Sequence, residues 1–185
     1  MDKLRVLGVA GSLRKESYNR AVLRTAVELA PEEMDIETFD IAGIPPFNQD
    51  EEQNQPEHLR EFKAKIKRAD GLIFVTPEYN YSIPGVLKNA IDAASRPYGD
   101  NPFYDKPVAI IGASPGRIGT ARAQYHLRQT CVFLNMHPMN QPEVMITFAD
   151  EKIDDNGKLV DQQTREIIRK QMEAYVIWIR RLKGV

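Results

Sequence analysis

The chain has 185 residues, of which 42% are hydrophobic and 28% are charged, as is typical of a single soluble domain spanning residues 1–185. A net charge of −1 gives no electrostatic reason to expect a nucleic-acid or membrane-surface partner, and no apolar run reaches the roughly 20 residues that span a bilayer. The single cysteine excludes an internal disulfide and a multi-cysteine metal site. We therefore expect a cytoplasmic protein.

Strand and helix patterns alternate through the first half of the chain. They are, in order, an apolar strand over 4–10, a helix over 19–30, an edge strand over 35–41, a proline-rich loop over 42–56 and an amphipathic helix over 57–68. The nearly continuous apolar run of the first strand is typical of a parallel strand covered on both faces. The basic residues of the last helix are expected on a solvated face.

The second half continues the same alternation. Its elements are strands over 71–76, 107–113 and 142–147, and helices over 85–95, 120–134 and 161–182. Five strands separated by helices predict a doubly wound parallel sheet with helices on both faces. Such sheets bind ligands beyond the carboxyl ends of their strands, so the loops after the three most apolar strands are the candidate site.

The turn after the first strand, GSLRKES, leads directly into a helix. Unpaired backbone N–H groups and the positive end of the helix dipole make such a turn suitable for a phosphate. Ser12, Ser17 and Asn19 add short neutral donors, and Arg14 and Arg20 add charge. The turn is neither a Walker A loop nor a GxGxxG fingerprint. Taken alone, it fits a phosphate site and an ordinary serine-capped helix equally well.

The loop after the third strand, PEYNYSIPG, offers flat aromatic faces and polar edges. Its tyrosines can lie against a planar ring, and Asn80 and Ser82 can hydrogen-bond to the edge of that ring. Pro77 and Pro84 restrict the backbone, so the loop is held ready for a ligand. We interpret it as the site of a heteroaromatic ring rather than as a surface loop without a ligand.

Together, GSLRKESYNR and PEYNYSIPGVLKNAID resemble the NADPH-dependent FMN reductase family, which includes bacterial quinone and chromate reductases and related azoreductases. The resemblance covers residues 4 to about 145. It implies an α/β fold, a flavodoxin-like three-layer α/β/α sandwich with a five-stranded parallel sheet of order 2-1-3-4-5. It also implies bound FMN, NADPH or NADH as co-substrate, and quinones, azo compounds, free flavin or chromate as electron acceptors.

The resemblance also places the site on particular residues. The phosphate loop corresponds to Ser12, Leu13, Arg14, Ser17 and Asn19, the ring loop to Pro77, Glu78, Tyr79, Asn80 and Tyr81, and a third loop contributes Ser114 and Gly116. Arg14 and Arg117 are candidates for the 2′-phosphate of NADPH. No catalytic side chain is expected, because flavin N5 itself accepts the hydride and the protein mainly fixes and tunes the ring.

Family members usually form oligomers, so a homodimer or homotetramer is expected. Arg122, Tyr125, Arg128 and Glu143 are candidates for a polar interface, and a solvated helix face is an equally good interpretation of the same residues. His58, His126 and His137 show no metal or catalytic spacing and are expected to be structural or on the surface. Cys131 is expected to be a packed core thiol.

Three other functions compete with this interpretation. A flavodoxin-like electron carrier would share the fold, although such carriers are usually strongly acidic and tend to place a tryptophan beside the ring. A flavin-free binding or regulatory module would also keep the fold. A nucleotide-hydrolysing enzyme is the most distant of the three, because the sequence shows no Walker lysine and no cluster of metal-binding carboxylates.

Overall fold

The computed structural model describes residues 3–184, so Met1, Asp2 and Val185 lie outside the described residues. The strands are β1 (Leu4–Ala10), β2 (Met34–Phe39), β3 (Gly71–Val75), β4 (Pro107–Ala113), β5 (His137–Pro138) and β6 (Val144–Ile146). The helices are α1 (Tyr18–Glu28), α2 (Glu57–Arg68), α3 (Gly85–Ala94), α4 (Ala121–Phe133), the single turn α5 (Ala149–Lys152) and α6 (Gln162–Lys183).

The strands form one parallel sheet in the order β2-β1-β3-β4-β5, with β6 also paired to β4. This arrangement confirms the predicted flavodoxin-like α/β fold and its strand order. The three apolar strands lie at the centre, as parallel strands covered by helices on both faces do. Their carboxyl ends meet at one edge of the sheet. The direction of the connections reverses there, because the chain runs from β1 outward to β2 and then back past β1 to β3.

The fifth position of the sheet differs from the single strand predicted over 142–147. Two short strands share it, with β5 beside Pro107 and Val108 and β6 beside Ile111–Ala113. Between them, Pro142 has no N–H to donate to a ladder, and the side chain of Gln171 donates to the Ile110 carbonyl at 3.1 Å instead. The sheet thus has six strands in five positions.

Two apolar clusters pack against the two faces of the sheet. The cluster under α1 and α6 includes Val22, Ile168 and Met172, and the cluster under α2, α3 and α4 includes Phe62 and Ile91. Burial of both faces by long apolar side chains is the main stabilising contribution to such a fold. It also holds the ends of β1, β3 and β4 in fixed relative positions.

The expectation that all basic residues of α2 lie on a solvated face is wrong at Lys63. Its side chain is only 5% exposed, and its ammonium lies 2.7 Å from the Asp100 carboxylate. It also donates a hydrogen bond to the Arg96 carbonyl. Burial of this cation is tolerated because a carboxylate and a carbonyl replace its water. Across residues 3–184, none of the helices combines the length and apolar character needed to cross a membrane.

Candidate active site

The turns after β1, β3 and β4 are tied to one another by hydrogen bonds. The N–H of Gly11 donates to the Val75 carbonyl at 2.8 Å. Asn19 reaches across the sheet to Ala113, donating from Nδ2 to its carbonyl and accepting its N–H on Oδ1, both at 2.9 Å. A Cβ on Gly11 would lie 3.0 Å from Leu87 and 3.4 Å from Pro77, so the first two turns also pack closely. The three sequence-predicted loops therefore form one site.

The start of α1 presents a set of free donors. Ser17 caps the helix, because its Oγ accepts the N–H groups of Asn19 and Arg20. Among the residues that the structure describes, the backbone N–H groups just before and at the helix start have no acceptor; they belong to Leu13, Lys15, Glu16 and Tyr18. Converging N–H groups at the positive end of a helix dipole are what an anion such as phosphate requires.

Three side chains of this turn have defined surroundings. Ser12 is buried, and its Oγ accepts the Arg14 N–H at 3.3 Å. Arg14 itself is exposed, with its guanidinium 4.8 Å from the Tyr18 ring centroid, so its charge is free for a ligand. Arg20, expected to add charge to the site, instead pairs with Asp40 at 3.0 Å and donates to the Ser12 carbonyl. Its charge is neutralised, so it fixes the turn.

The loop after β3 contains a tight turn built from non-glycine residues. Tyr79 and Ser82 exchange both backbone hydrogen bonds, at 3.1 and 3.0 Å. Asn80 and Tyr81 between them have φ values of 50° and 67°, in the left-handed region that such residues rarely adopt. Their N–H groups have no acceptor within residues 3–184, and the Tyr79 and Tyr81 rings are half or more exposed. The turn offers two donors and two aromatic faces.

The carboxylate of Glu78, which the resemblance places in the ring loop, is engaged by the start of α4. The carboxylate accepts the backbone N–H groups of Arg122 and Ala123 at the start of α4, at 3.1 and 3.2 Å, and pairs with Arg122 Nε at 2.7 Å. The sequence gives one indication of this cap, because α4 has no acidic residue in its first turn. In the structure Thr120 makes no side-chain cap bond, so the free N–H groups at this helix end need an acceptor from elsewhere in the chain.

The third loop closes the site on the β4 side. Ser114 Oγ accepts the Gly116 N–H at 3.0 Å, which makes a compact turn. Pro115, Gly116 and Arg117 are exposed beyond it. A Cβ on Gly112 would lie 1.7 Å from Thr120 Oγ1, so the missing side chain lets the start of α4 approach the sheet. The loop can therefore reach a ligand held by the first two turns.

Sequence reasoning gave His126 no role, yet the structure places it beside the site. Its Nδ1 is joined to Ser82 Oγ by a 2.9 Å hydrogen bond. His58 bonds to the Asp40 carbonyl and His137 to Asp105, both away from the three turns. Cys131 is fully buried, and burial raises the pKa of its thiol to about 12. No cluster of three metal-ligating side chains occurs in the described part of the chain.

A family model described as NADPH-dependent FMN reductase matches residues 4–151, which include all three turns. The chain belongs to this family. It is accordingly an FMN-dependent NAD(P)H oxidoreductase, with FMN as cofactor and NAD(P)H as co-substrate, and the electron-carrier alternative is set aside. The free donors at the start of α1 and in the turn at 80–81 are chemically suited to the phosphate and the ring edge of FMN.

The chain is similar to known proteins over nearly its whole length. It is 55% identical over 184 residues to an NAD(P)H-dependent FMN reductase of Pseudomonas aeruginosa, covering 99% of each chain. It is 47% identical to a 2-hydroxy-1,4-benzoquinone reductase of a Burkholderia species, covering 96% of this chain and 97% of that one. The solved structure of the flavoenzyme NAD(P)H:(acceptor) oxidoreductase FerB from Paracoccus denitrificans superposes with a TM-score of 0.88 at 36% identity, covering 96% and 98%.

Proposed function

We propose that this reductase passes a hydride from NADPH or NADH to small-molecule acceptors, with quinones as the principal class. Two features support this proposal. The free N–H groups at the start of α1 suit the phosphate of FMN, and the aromatic turn at residues 79–82 suits its ring. When bound, FMN supplies an N5 atom that accepts a hydride and later gives it up to the acceptor. The protein fixes the ring and leaves one face of it accessible.

The first turn is assigned to the phosphate. The N–H groups around Lys15 and Glu16 and the hydroxyl of Ser17 donate to it, and the exposed guanidinium of Arg14 adds positive charge. Both polar atoms of Asn19 bind Ala113, so only its second Nδ2–H remains for a ligand. Its contribution is mainly to hold the first turn against the end of β4.

The second and third turns are assigned to the ring. Asn80 and Tyr81 donate their N–H groups to its polar edge, and Tyr79 supplies an aromatic surface. Pro77 and the Glu78 backbone set the path of the loop, and Ser114 and Gly116 close the β4 side. The exposed position of this turn favours flat acceptors, and related enzymes named quinone reductases support that class. Free flavin, azo compounds and chromate remain further candidates.

The exposed Arg117 and Arg14 are proposed to contact the 2′-phosphate of NADPH. Replacing Arg117 with Ala is then expected to raise KM for NADPH without changing KM for NADH. Steady-state oxidation of both cofactors with one quinone measures the difference. Equal effects on the two cofactors would remove Arg117 from 2′-phosphate recognition.

A homodimer or homotetramer is proposed as the working form, and the cytoplasmic location stays a prediction. Among the four interface candidates, Tyr125 is half exposed on α4, whereas Arg122 is engaged with Glu78 in the same chain. Arg128 likewise donates to the Met139 carbonyl of its own chain. Glu143 has no ion-pair partner within residues 3–184 and is available to another subunit. Helix α4 also exposes Val132 and Phe133, at 79% and 77%.

Phosphate recognition is tested by comparing FMN with riboflavin, which has the ring but not the phosphate. We expect the wild-type protein to bind FMN at least 100-fold more tightly, on the order of two or three charge-assisted hydrogen bonds. Arg14→Ala should reduce that ratio by about tenfold and leave riboflavin binding unchanged, whereas Lys170→Ala, at a cation that is 65% exposed on α6, is the charge-matched control and should leave the ratio unchanged. Equal affinities for the two flavins in the wild-type protein would refute the phosphate assignment.

Turnover is tested by stopped-flow reduction of the FMN-loaded protein with NADPH and with NADH, followed by reoxidation with a panel of acceptors. Reduction faster than steady-state turnover and rapid reoxidation by quinones are expected. A protein that is colourless and does not bind FMN at micromolar concentrations would overturn the proposed function. If every quinone reoxidised the reduced protein slowly and another acceptor did so fast, the proposed acceptor class would change and the rest of the proposed function would stand.

A further inference from the structure

The turn at residues 79–82, together with Glu78 just before it, makes three side-chain contacts with α4. Its two central residues lie in the left-handed region. Asparagine tolerates that region, but Tyr81 stands where such turns prefer glycine, so its conformation persists only when the surroundings enforce it. The exchanged backbone bonds between Tyr79 and Ser82 close a two-residue hairpin, which favours positive φ at its centre, but they do not fix the side chains of the turn. The contacts that hold the turn in place come from the first two turns of α4.

Arg122 provides the first two of these contacts. Its guanidinium carbon lies 3.5 Å from the Tyr81 ring centroid, stacked on the aromatic face. Its Nε donates to the Glu78 carboxylate, whose side chain is 8% exposed. The Arg122 guanidinium therefore connects Glu78, before the turn, to Tyr81, within it.

His126 provides the third contact, one helical turn further along α4. Its Nδ1 and Ser82 Oγ are hydrogen-bonded at 2.9 Å, which fixes the last residue of the turn. Residues i and i+4 of a helix lie on the same face, so Arg122 and His126 face the turn together. Glu78 caps the same helix end through two backbone N–H groups.

We infer that Glu78, Arg122 and His126 are positioning residues that hold the Asn80–Tyr81 turn in its flavin-binding conformation. None of the three side chains needs to touch the flavin. They act by keeping the free N–H groups of the turn, and the Tyr79 and Tyr81 rings, in place before the ligand arrives. A preformed turn loses less conformational entropy on binding. This inference rests on the proposed function, because it concerns the ring half of the same FMN site.

The test compares His126→Phe, His126→Asn, Arg122→Met and Glu78→Gln with the exposed α4 control Gln129→Ala. Asparagine places a polar atom near the position of Nδ1, so His126→Asn is expected to restore the bond to Ser82. FMN and riboflavin affinities, the visible absorption and circular dichroism of the bound flavin, and the rate of reduction by NADPH are measured for each. Near-ultraviolet circular dichroism of the flavin-free proteins compares their aromatic environments, to which Tyr79 and Tyr81 contribute two of the seven tyrosines.

We expect His126→Phe, Arg122→Met and Glu78→Gln to weaken FMN and riboflavin binding equally, by roughly 5- to 50-fold. Equal losses for the two flavins mark a defect at the ring rather than at the phosphate. The bound-flavin spectrum and the tyrosine signal should change, and His126→Asn and Gln129→Ala should resemble the wild-type protein. Far-ultraviolet circular dichroism confirms that each variant is folded.

Wild-type affinities and spectra in all three variants would overturn the inference while leaving the proposed function intact. The same holds if Gln129→Ala causes an equal loss, or if the variants change only the oligomeric state. A wild-type protein that binds neither flavin would overturn the proposed function and, with it, this inference.

Discussion

At the scale of single residues, Asn19 shows how the turn after β1 is joined to the end of β4. Its amide exchanges two hydrogen bonds with a residue 94 positions away, and it is almost completely buried. The sequence could predict a polar donor at this position from the motif. It could not predict the partner, because no local pattern marks a backbone group on another strand.

Glu78 gives the same lesson about prediction. The motif identifies the residue, but its carboxylate serves a helix 44 residues later. Lys63 was likewise placed on a solvated face by its helical pattern, although an acidic residue 37 positions away compensates its burial. A sequence pattern predicts which face of a helix or strand is buried. It does not predict the pairing of Glu78 with α4 or of Lys63 with Asp100, because those depend on tertiary contacts.

The thiol of Cys131 is expected to be unreactive in the native protein. Burial raises its pKa to about 12, so the nucleophilic thiolate is scarce at pH 8. Titration with a disulfide reagent at pH 8 should modify less than a tenth of the protein, and about one thiol per chain should react in denaturant. Rapid labelling of the folded protein would mean that α4 opens readily.

At the scale of elements, the central strands were the most predictable part of the chain. β1 and β4 have the bounds that their apolar runs indicate, because strands buried on both faces have a continuous sequence signal. The fifth position has no such signal. It consists of pieces of two and three residues, and the gap between them is bridged by a glutamine of α6.

Gln171 is expected to be the main support of that gap. Its Nε2 donates to the Ile110 and Pro142 carbonyls, at 3.1 and 3.0 Å. Gln171→Met keeps the volume but removes the donor to the buried Ile110 carbonyl and to the part-buried Pro142 carbonyl, and we expect it to lower the free energy of unfolding by about 2 kcal/mol. Glu173→Met, on the exposed face of the same helix, is the control. Urea unfolding of both variants measures the difference, and equal stabilities would mean that the gap needs no support.

The contact between α2 and the loop before β4 is expected to give a pH-dependent contribution to stability. Hydrogen bonds from Lys63 and then Lys67 lower the pKa of Asp100. A carboxyl group with a lowered pKa in the folded state stabilises the protein above its unfolded pKa of about 4, and loses that contribution as the pH falls through its folded value. The stabilisation should therefore be present at pH 7 and fade in acid.

Asp100→Asn tests this contribution. We expect it to lower the free energy of unfolding by about 1–2 kcal/mol at pH 7, since it leaves the buried ammonium without its carboxylate. The deficit should shrink near pH 3. Asp155→Asn removes the same charge from an exposed turn and should have little effect at either pH. A deficit that is the same at both values would rule out the ion pair as its cause.

At the scale of the whole molecule, the exposed side of α4 is where self-association is expected. Phe133 lines a groove of about 380 Å³ between α3 and α4, with Phe47, Lys88 and Asp92 also lining it. An aromatic group beside a cation and a carboxylate, both on α3, can face a second copy of the same surface. The proposed subunit contact therefore belongs on this face rather than on α6.

Phe133→Glu is expected to reduce the oligomeric state by one step, to a monomer or a dimer. Ile177→Glu, at a residue 69% exposed on α6, introduces the same charge on the opposite face and should leave assembly unchanged. Light scattering coupled to size-exclusion chromatography, across a range of protein concentrations, distinguishes the two. Loss of assembly in Ile177→Glu alone would move the contact to α6.

The interrupted strand at one border of the sheet has a protective consequence. A long, uninterrupted border strand would invite an extended segment of another polypeptide to add to it, as in fibril growth. Here the side chain of Gln171 covers the carbonyl at the break, and the opposite border, β2, carries Asp35 and Glu37. Neither border strand is both continuous and uncharged, so this architecture disfavours edge-to-edge aggregation. The turns after β1, β3 and β4 stay accessible at another edge of the sheet.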